Sequence, residues 1–247
     1  NALHQRLATS LQNLGSIHQR RMRRCVEAVS TTECIVDGQR CISFATNDYL
    51  GLTRHPDVVA AFADVAARQV GAGASALIAG RSPHHVRLEE AIAEFESTES
   101  ALLFPSGFAA NFGTLASLIG PQDAVFSDRE NHASLIDGCR ASAGKIFIYD
   151  RAELDRLSES IESRCRDFAA VFIVTDTVFS MDGTLADLPQ LCNIADRFGA
   201  TVIVDEAHGQ QPFQSQDKLV TTIFNGQIYN HHELRQLLSA EFKFNSN

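Results

Sequence analysis

Ala200-Thr-Val-Ile-Val-Asp-Glu-Ala-His-Gly209 is the stretch whose reading decides the fold. Its β-branched run from Thr201 to Val204 reads as a buried strand. It carries Asp205 and His208 to the strand's C-terminal end. The same grammar repeats upstream. Ala124-Val-Phe126, Lys145-Ile-Phe-Ile-Tyr149 and Ala169-Ala-Val-Phe-Ile-Val174 are short apolar runs, and Ala101-Leu-Leu-Phe104 reads as a further short buried strand. Helical stretches fill the gaps: one running to Ile119, one from Ala133, then Glu153 to Arg166 and Leu188 to Phe198. Strands alternating with helices predict an α/β fold, a mostly parallel sheet with helices on both faces. In such sheets ligands sit beyond the carboxyl ends of the strands, which is where Asp205 and His208 fall.

Other polar residues share that edge. Ser106-Gly107 opens a helix whose free backbone N–H groups can hold a phosphate. His132 follows the run at 124–126, and Ser180 follows the run at 169–174. One such residue is ordinarily a cap or a surface polar group; several on one edge make a site. A helix N-terminus, a flat imidazole and a carboxylate suit a phosphorylated heteroaromatic cofactor. For pyridoxal phosphate, a carboxylate keeps the ring nitrogen protonated so that the ring can absorb carbanion charge. Asp205 is the natural carboxylate, since burying one is costly without a cation. His132 either stacks on the ring or simply caps its helix. The rival reading of Asp205-Glu-Ala-His208 as an NTPase or helicase box fails, because the only Gly-Lys pair, Gly144-Lys145, stands in no P-loop.

Working outward, residues 2–29 carry Leu3, Leu7, Leu11, Leu14, Ile17, Met22 and Val26 at helical spacing, predicting one or two amphipathic helices packed on a body. Arg20, Arg21, Arg23 and Arg24 form a basic cluster, a solvated face or a seat for a phosphate-rich or carboxylate substrate. Cys34 to Phe44 alternates around Asp37-Gly38 as a hairpin does. Pro56 opens a helix expected to reach Val70. Gly71-Ala-Gly-Ala-Ser-Ala76 matches a dinucleotide pattern formally, but it follows a helix where that motif must follow a strand, so it reads as a loop. Ser82 to Glu96 is again helical.

Composition sets the outer limits. With 247 residues, 45% apolar and 21% charged, the chain can bury a sizeable core. A net charge of -9 argues against a nucleic-acid partner. Six cysteines form no C-x-x-C pair, which speaks against zinc and for free thiols in a cytoplasmic protein. No apolar run reaches the ~18 residues of a membrane span.

Residues 1–209 resemble the α-oxoamine synthase family of pyridoxal-phosphate enzymes, fold type I, and within it the 8-amino-7-oxononanoate synthases. The resemblance rests on Asn47-Asp-Tyr-Leu-Gly-Leu52, Gly71-Ala-Gly-Ala-Ser75, His85-x-x-Leu-Glu89, Pro105-Ser-Gly-Phe-Ala-Ala-Asn111, Asn131-His-Ala-Ser134, Phe179-Ser-Met-Asp-Gly183 and Val204-Asp-Glu-Ala-His-Gly209. It implies decarboxylative condensation of an amino acid, alanine or, as in glycine C-acetyltransferase, glycine, with an acyl-CoA or acyl-carrier-protein thioester. It also implies a homodimer. By resemblance, Ser106, Gly107 and Phe108 cradle the cofactor, His132 stacks on it, Ser180 supplies a hydroxyl, Asp205 meets the ring nitrogen and His208 the phenolic oxygen. His132, Asp205 and His208 are thus the expected catalytic set. Asn47 falls where the family contacts substrate, and Arg20 and Arg24 are assigned to the acyl group. Ala76 stands where an arginine is common, which loosens the substrate assignment.

Two departures accompany the match. The family's Schiff-base lysine lies in a Thr-x-Ser-Lys stretch, and none of Lys145, Lys218 or Lys243 sits in one. Loss of that lysine removes a covalent anchor and a proton-transfer base, so turnover is not expected. Residues 210–247 instead resemble a fragment of a class II glutamine amidotransferase, as in asparagine synthetase, with Asn225-Gly226 at its oxyanion site; the N-terminal cysteine of that class is absent, and Asn1 opens the chain. The expected organisation is an N-terminal helical arm and hairpin over 1–45, an incomplete cofactor domain over 46–209 and an amidotransferase-like piece over 210–247. The alternatives are an amidotransferase and a non-catalytic fusion fragment.

Overall fold

The computed structural model describes residues 1–207 and the backbone of 220–223, so His208, Lys218, Lys243 and most of the amidotransferase-like segment lie outside the described residues. The chain divides into two compact units, Asn1–Val58 and Val59–Asn247.

In the first unit, α1 (Ala2–Ser16) is capped by Asn1, whose Oδ1 accepts the Leu3 N–H at 3.0 Å. None of its residues is buried. The helical period misleads beyond Ser16. His18 takes a left-handed φ of 56°, and Val26–Ala28 forms β1 instead of a helical turn. Antiparallel pairing with β2 (Glu33–Val36), in the register Val26↔Val36, satisfies backbone groups that periodicity alone cannot place. The β2–β3 hairpin is as expected, with β3 at Gln39–Ile42 and the two-residue turn Asp37-Gly38 at φ 50° and 81°. Downstream, Asp48 accepts from the Thr53 backbone N–H and hydroxyl, closing the Asn47–Leu52 turn. Gly51 there has φ +66°, and a Cβ would meet the Thr31 Cγ2 at 2.9 Å, so glycine is required on both counts.

α2 (Pro56–Ala66) ends short of the expected Val70, and a five-residue π-turn, Ala76–Gly80, follows the glycine loop. α3 (Pro83–Phe95) starts from a capping box in which Ser82 and His85 bond reciprocally. Ala101–Phe104 is neither strand nor buried: it has no ladder partner among the described residues, and Leu102 is 73% exposed. A short apolar run specifies a strand only when a neighbour takes up its hydrogen bonds.

The second unit is otherwise the expected alternation: α4 (Gly107–Leu118), β4 (Ala124–Asp128), α5 (Ala133–Ala141), β5 (Lys145–Tyr149), α6 (Leu154–Glu162), β6 (Val171–Asp176), α7 (Leu188–Phe198) and β7 (Thr201–Asp205). β8 (Val220–Ile223) pairs parallel with β7, giving the order β5-β4-β6-β7-β8 with every pairing parallel. Alternate strand residues feed two cores. Phe126, Ile173, Val202 and Val204 pack with Leu157 and Ile161 of α6 and Leu191 of α7, while Val125, Phe172, Val174 and Ile203 pack with Leu115 of α4 and Leu135 of α5. Both faces are therefore covered by helices, which is why these strands read as continuous apolar runs.

α4 and α5 approach closely at Gly138. A Cβ there would lie 2.9 Å from Leu115 Cδ1 and 3.1 Å from the Asn111 carbonyl oxygen. Gly138→Ala is accordingly expected to destabilise by about 1–3 kcal/mol through overpacking, despite alanine's better helix propensity. Urea unfolding of the two proteins checks this; an unchanged or raised midpoint contradicts it.

Candidate functional site

The chain leaves β4 for β5 on one side and returns to β6 on the other, so the carboxyl ends of β4 and β6 flank a topological switch point. Asn131, just past β4, bridges it. Its Nδ2 donates to the Val174 carbonyl at 2.8 Å and to Ser127 Oγ at 3.1 Å, and its Oδ1 accepts the Asp176 N–H at 3.0 Å. Asp176 then accepts the backbone N–H of His132 through Oδ2 at 2.7 Å. His132 is thus pinned to the end of β6 by its main chain. Its side chain caps α5, with Nδ1 accepting the Ser134 N–H at 3.3 Å and lying 2.6 Å from Ser134 Oγ. The capping role expected as an alternative is real, and it leaves the exposed imidazole at the edge.

Asp205 ends β7, in register with Asp176 on β6, so the two carboxyl groups stand side by side. Asp205 is 3% exposed. Its Oδ2 accepts from Asn111 Nδ2 at 2.6 Å and its Oδ1 from the Ala207 N–H at 2.9 Å, and among the described residues it has no ion-pair partner. Thr177 donates both its N–H and its hydroxyl to the Asp205 carbonyl oxygen, tying the chain after β6 to β7.

Ser106 caps α4 by accepting the Ala109 N–H at 3.2 Å. The amides of Gly107 and Phe108 fall in the first turn, where the helix has no acceptor for them. Gly107 is buried, whereas Phe108 is about half exposed and stacks on Phe112 with centroids 6.1 Å apart. Ser180 is exposed in a tight turn closed by the Gly183 N–H donating to the Phe179 carbonyl at 2.8 Å. Arg151 clamps that turn: it donates to Asp182 and Thr184 at 2.7 Å each, lies over the Phe179 ring at 3.9 Å, and stands 3.7 Å from buried Asp128. The structure thus brings Ser106, Gly107, Phe108, His132, Ser180 and Asp205 to the second unit, whereas Arg20, Arg24 and Asn47 are exposed residues of the first.

Residue-by-residue reading missed the groups that hold this edge: Asn111, Asn131, Ser134, Asp176 and Arg151. Asn111, Asn131 and Ser134 lie inside motifs already quoted, and their signal was amide and hydroxyl residues at positions that a strand–helix alternation buries. Asp176 shared the strand-end position of Asp205 but was not singled out, and Arg151 carried no local signal.

Acid groups gather here without enough cations. Burial, then the neighbouring Asp205 charge, pushes the Asp176 carboxyl up to about 7, with Asp128 adding to the shift and the His132 N–H and Arg151 opposing it. Burial, then Glu96 and Asp205, pushes Glu206 up to about 8. A carboxyl raised in the folded state contributes stability that is complete below its unfolded value and is lost as pH rises through the folded value. The stability of the cofactor-free chain, and with it the melting temperature, should therefore fall from about pH 4 to about pH 8, by at most about 1.4 kcal/mol per pH unit for each group, and level off above that. Asp176→Asn is expected to flatten the lower part of that decline and Glu206→Gln the upper part. Scanning calorimetry across the range checks it, and a melting temperature that rises with pH would contradict it.

Comparison with known proteins places this geometry. A family model described as aminotransferase class I and II matches residues 39–239, running past Gly209 and through β8. The 8-amino-7-oxononanoate synthase of Stutzerimonas stutzeri is 44% identical over 207 residues, 83% of this chain and 52% of that protein. The enzyme of the same name from Paraburkholderia xenovorans is 44% identical over 208 residues, covering 82% and 52%. The chain spans about half the length of the curated relatives it matches. Among solved structures, serine palmitoyltransferase of S. paucimobilis with bound PLP-myriocin aldimine superposes with a TM-score of 0.77 at 26% identity, covering 87% of this chain and 57% of that one. Sphingomonas wittichii serine palmitoyltransferase gives a TM-score of 0.73 at 30% identity, covering 83% and 52%.

Proposed function

The chain belongs to the class I and II aminotransferase family, in its α-oxoamine synthase branch, and on that premise we propose that it forms the cofactor-holding part of a pyridoxal-phosphate-dependent enzyme of the 8-amino-7-oxononanoate synthase type. The proposed reaction of the whole protein joins an amino acid, alanine, to the acyl group of an acyl-CoA or acyl-carrier thioester, with release of carbon dioxide and the free CoA or carrier thiol. The whole protein is proposed to be a cytoplasmic homodimer; no described helix is long and apolar enough to cross a membrane.

Asp205 carries the reading. It is a carboxyl group 3% exposed, hydrogen-bonded by an amide and a backbone N–H and without a cation among the described residues. A buried carboxylate so placed is stabilised by a protonated ring nitrogen arriving from the open side. The other groups fit the same ligand: first-turn amides at Gly107 and Phe108 for a phosphate, the exposed His132 ring for a stacking face, and the Ser180 hydroxyl. When bound, pyridoxal phosphate supplies an electron sink for carbanion charge. The chain's part is to keep the ring nitrogen protonated at Asp205, to orient the ring against His132 and to neutralise the phosphate at α4. His208, Asn47, Arg20 and Arg24 are proposed to complete the cofactor and substrate contacts.

No lysine reaches this edge among the described residues. Lys145 is the first residue of β5, exposed at the opposite end of the sheet. Because none of the three lysines of the sequence lies in a Thr-x-Ser-Lys stretch, we expect the chain to hold the cofactor without a covalent bond and without turnover. Saturating it with pyridoxal phosphate, reducing with borohydride and weighing the intact protein tests this. The expected result is a saturable spectral change with unchanged mass. A stoichiometric reduced adduct overturns the non-covalent clause, and no spectral change overturns the cofactor assignment.

A further inference from the structure

The carboxylate of Asp205 and the imidazole of His132 are joined through two side chains in a continuous line. Asn111, fully buried on α4, donates one Nδ2 hydrogen to Asp205 Oδ2 at 2.6 Å and the other to Ser134 Oγ at 2.8 Å. Ser134, fully buried on α5, lies 2.6 Å from His132 Nδ1.

The donor and acceptor inventory fixes the direction of every proton in the line. A carboxylate only accepts, so the amide nitrogen of Asn111, and not its oxygen, must face Asp205. Asn111 Oδ1 is buried without a hydrogen-bond partner, the consequence of that orientation. Both amide hydrogens are then committed, and Ser134 Oγ is an acceptor toward Asn111. Its own hydrogen is left for His132 Nδ1, which also receives the Ser134 backbone N–H at 3.3 Å. An Nδ1 with two donors aimed at it carries no hydrogen. The ring hydrogen therefore resides on Nε2, and the side chain is uncharged.

We propose that Asn111 and Ser134 are positioning residues: the Asp205–Asn111–Ser134–His132 line locks His132 as the neutral Nε2–H tautomer and so reserves the Asp205 charge for an incoming cation. A protonated imidazole at this edge would compete for that charge; a neutral one offers a stacking face only. The consequence for the cofactor rests on the proposed function above, but the tautomer is a property of the chain by itself.

The test is accordingly made without cofactor. In the 15N-labelled chain near neutral pH, the His132 signals, assigned by their loss in His132→Gln, should show Nδ1 in the unprotonated range and Nε2 in the protonated range. Ser134→Ala and Asn111→Ala should each draw the two shifts toward their average, Ser134→Ala the more, because it deletes the hydroxyl donor outright. Averaged shifts in the unaltered chain overturn the proposal, as does Ser134→Ala leaving the separation unchanged. Failure of pyridoxal phosphate to bind would sink the cofactor reading and leave this result standing.

Discussion

Asp205→Asn should weaken pyridoxal-phosphate binding by about 100-fold or more. Removing one member of a buried charge pair costs roughly 3–5 kcal/mol, and each 1.4 kcal/mol is a tenfold change in affinity. The carboxylate sits 3% exposed at the end of β7, so solvent screens it little. The same substitution has a second, opposite signature that separates it from general damage. Asp205 is the leading charge holding the neighbouring Asp176 carboxyl up, next to burial. Removing that charge relieves Asp176, so the cofactor-free variant should lose less stability than the unaltered chain as pH rises from about 4 to about 7. Fluorescence titration and melting scans on the same protein measure both. Unchanged affinity contradicts the role given to Asp205.

Phe126→Ala should be the most damaging single change in the core. Phe126 is fully buried in β4, stacked on Phe147 of β5 with ring centroids 5.1 Å apart, and Phe147 in turn meets Phe168 edge-on at 5.9 Å. Truncating a buried phenylalanine costs about 3–5 kcal/mol in transfer and cavity terms. For a chain of this size that is a fall of roughly 10 °C in melting temperature. Because β4 leads directly into Asn131 and His132, the loss should also weaken the site, and calorimetry with a cofactor titration would show both. A fall of under about 1 kcal/mol means the site collapses around the deletion and the core is not as close-packed as its burial implies.

The sheet was legible because its central strands β4, β6 and β7 are buried on both faces and helices such as α4, α5 and α7 carry caps. Thr201–Val204, Lys145–Tyr149 and Leu188–Phe198 were placed within a residue of where they lie, and Asp37-Gly38 named its own turn. Misreadings fell where hydrogen-bond partners outweigh periodicity. Val26 continues a helical stripe yet pairs with Val36, and Ala101–Phe104 has a strand's composition without a strand's neighbour. Of the site, the outward-facing groups could be read from their positions after strands and at a helix start. The inner layer could not. Asn111 reaches Asp205 across 94 positions and Asn131 reaches Asp176 across 45, and no local pattern encodes such pairings. Nor does any pattern announce that Arg151 would hold the turn of Ser180 through Asp182 and Thr184.

The central claim is that this edge is a built seat for a phosphorylated cationic ring. The most direct measurement is the melting temperature of the purified chain with and without pyridoxal phosphate, alongside Asp205→Asn. A ligand that binds only the native state stabilises it by about 2.7 kcal/mol at a hundred times its dissociation constant. The expected result is a saturable rise in the unaltered chain that Asp205→Asn abolishes. No rise, or an equal rise in both proteins, would contradict the account.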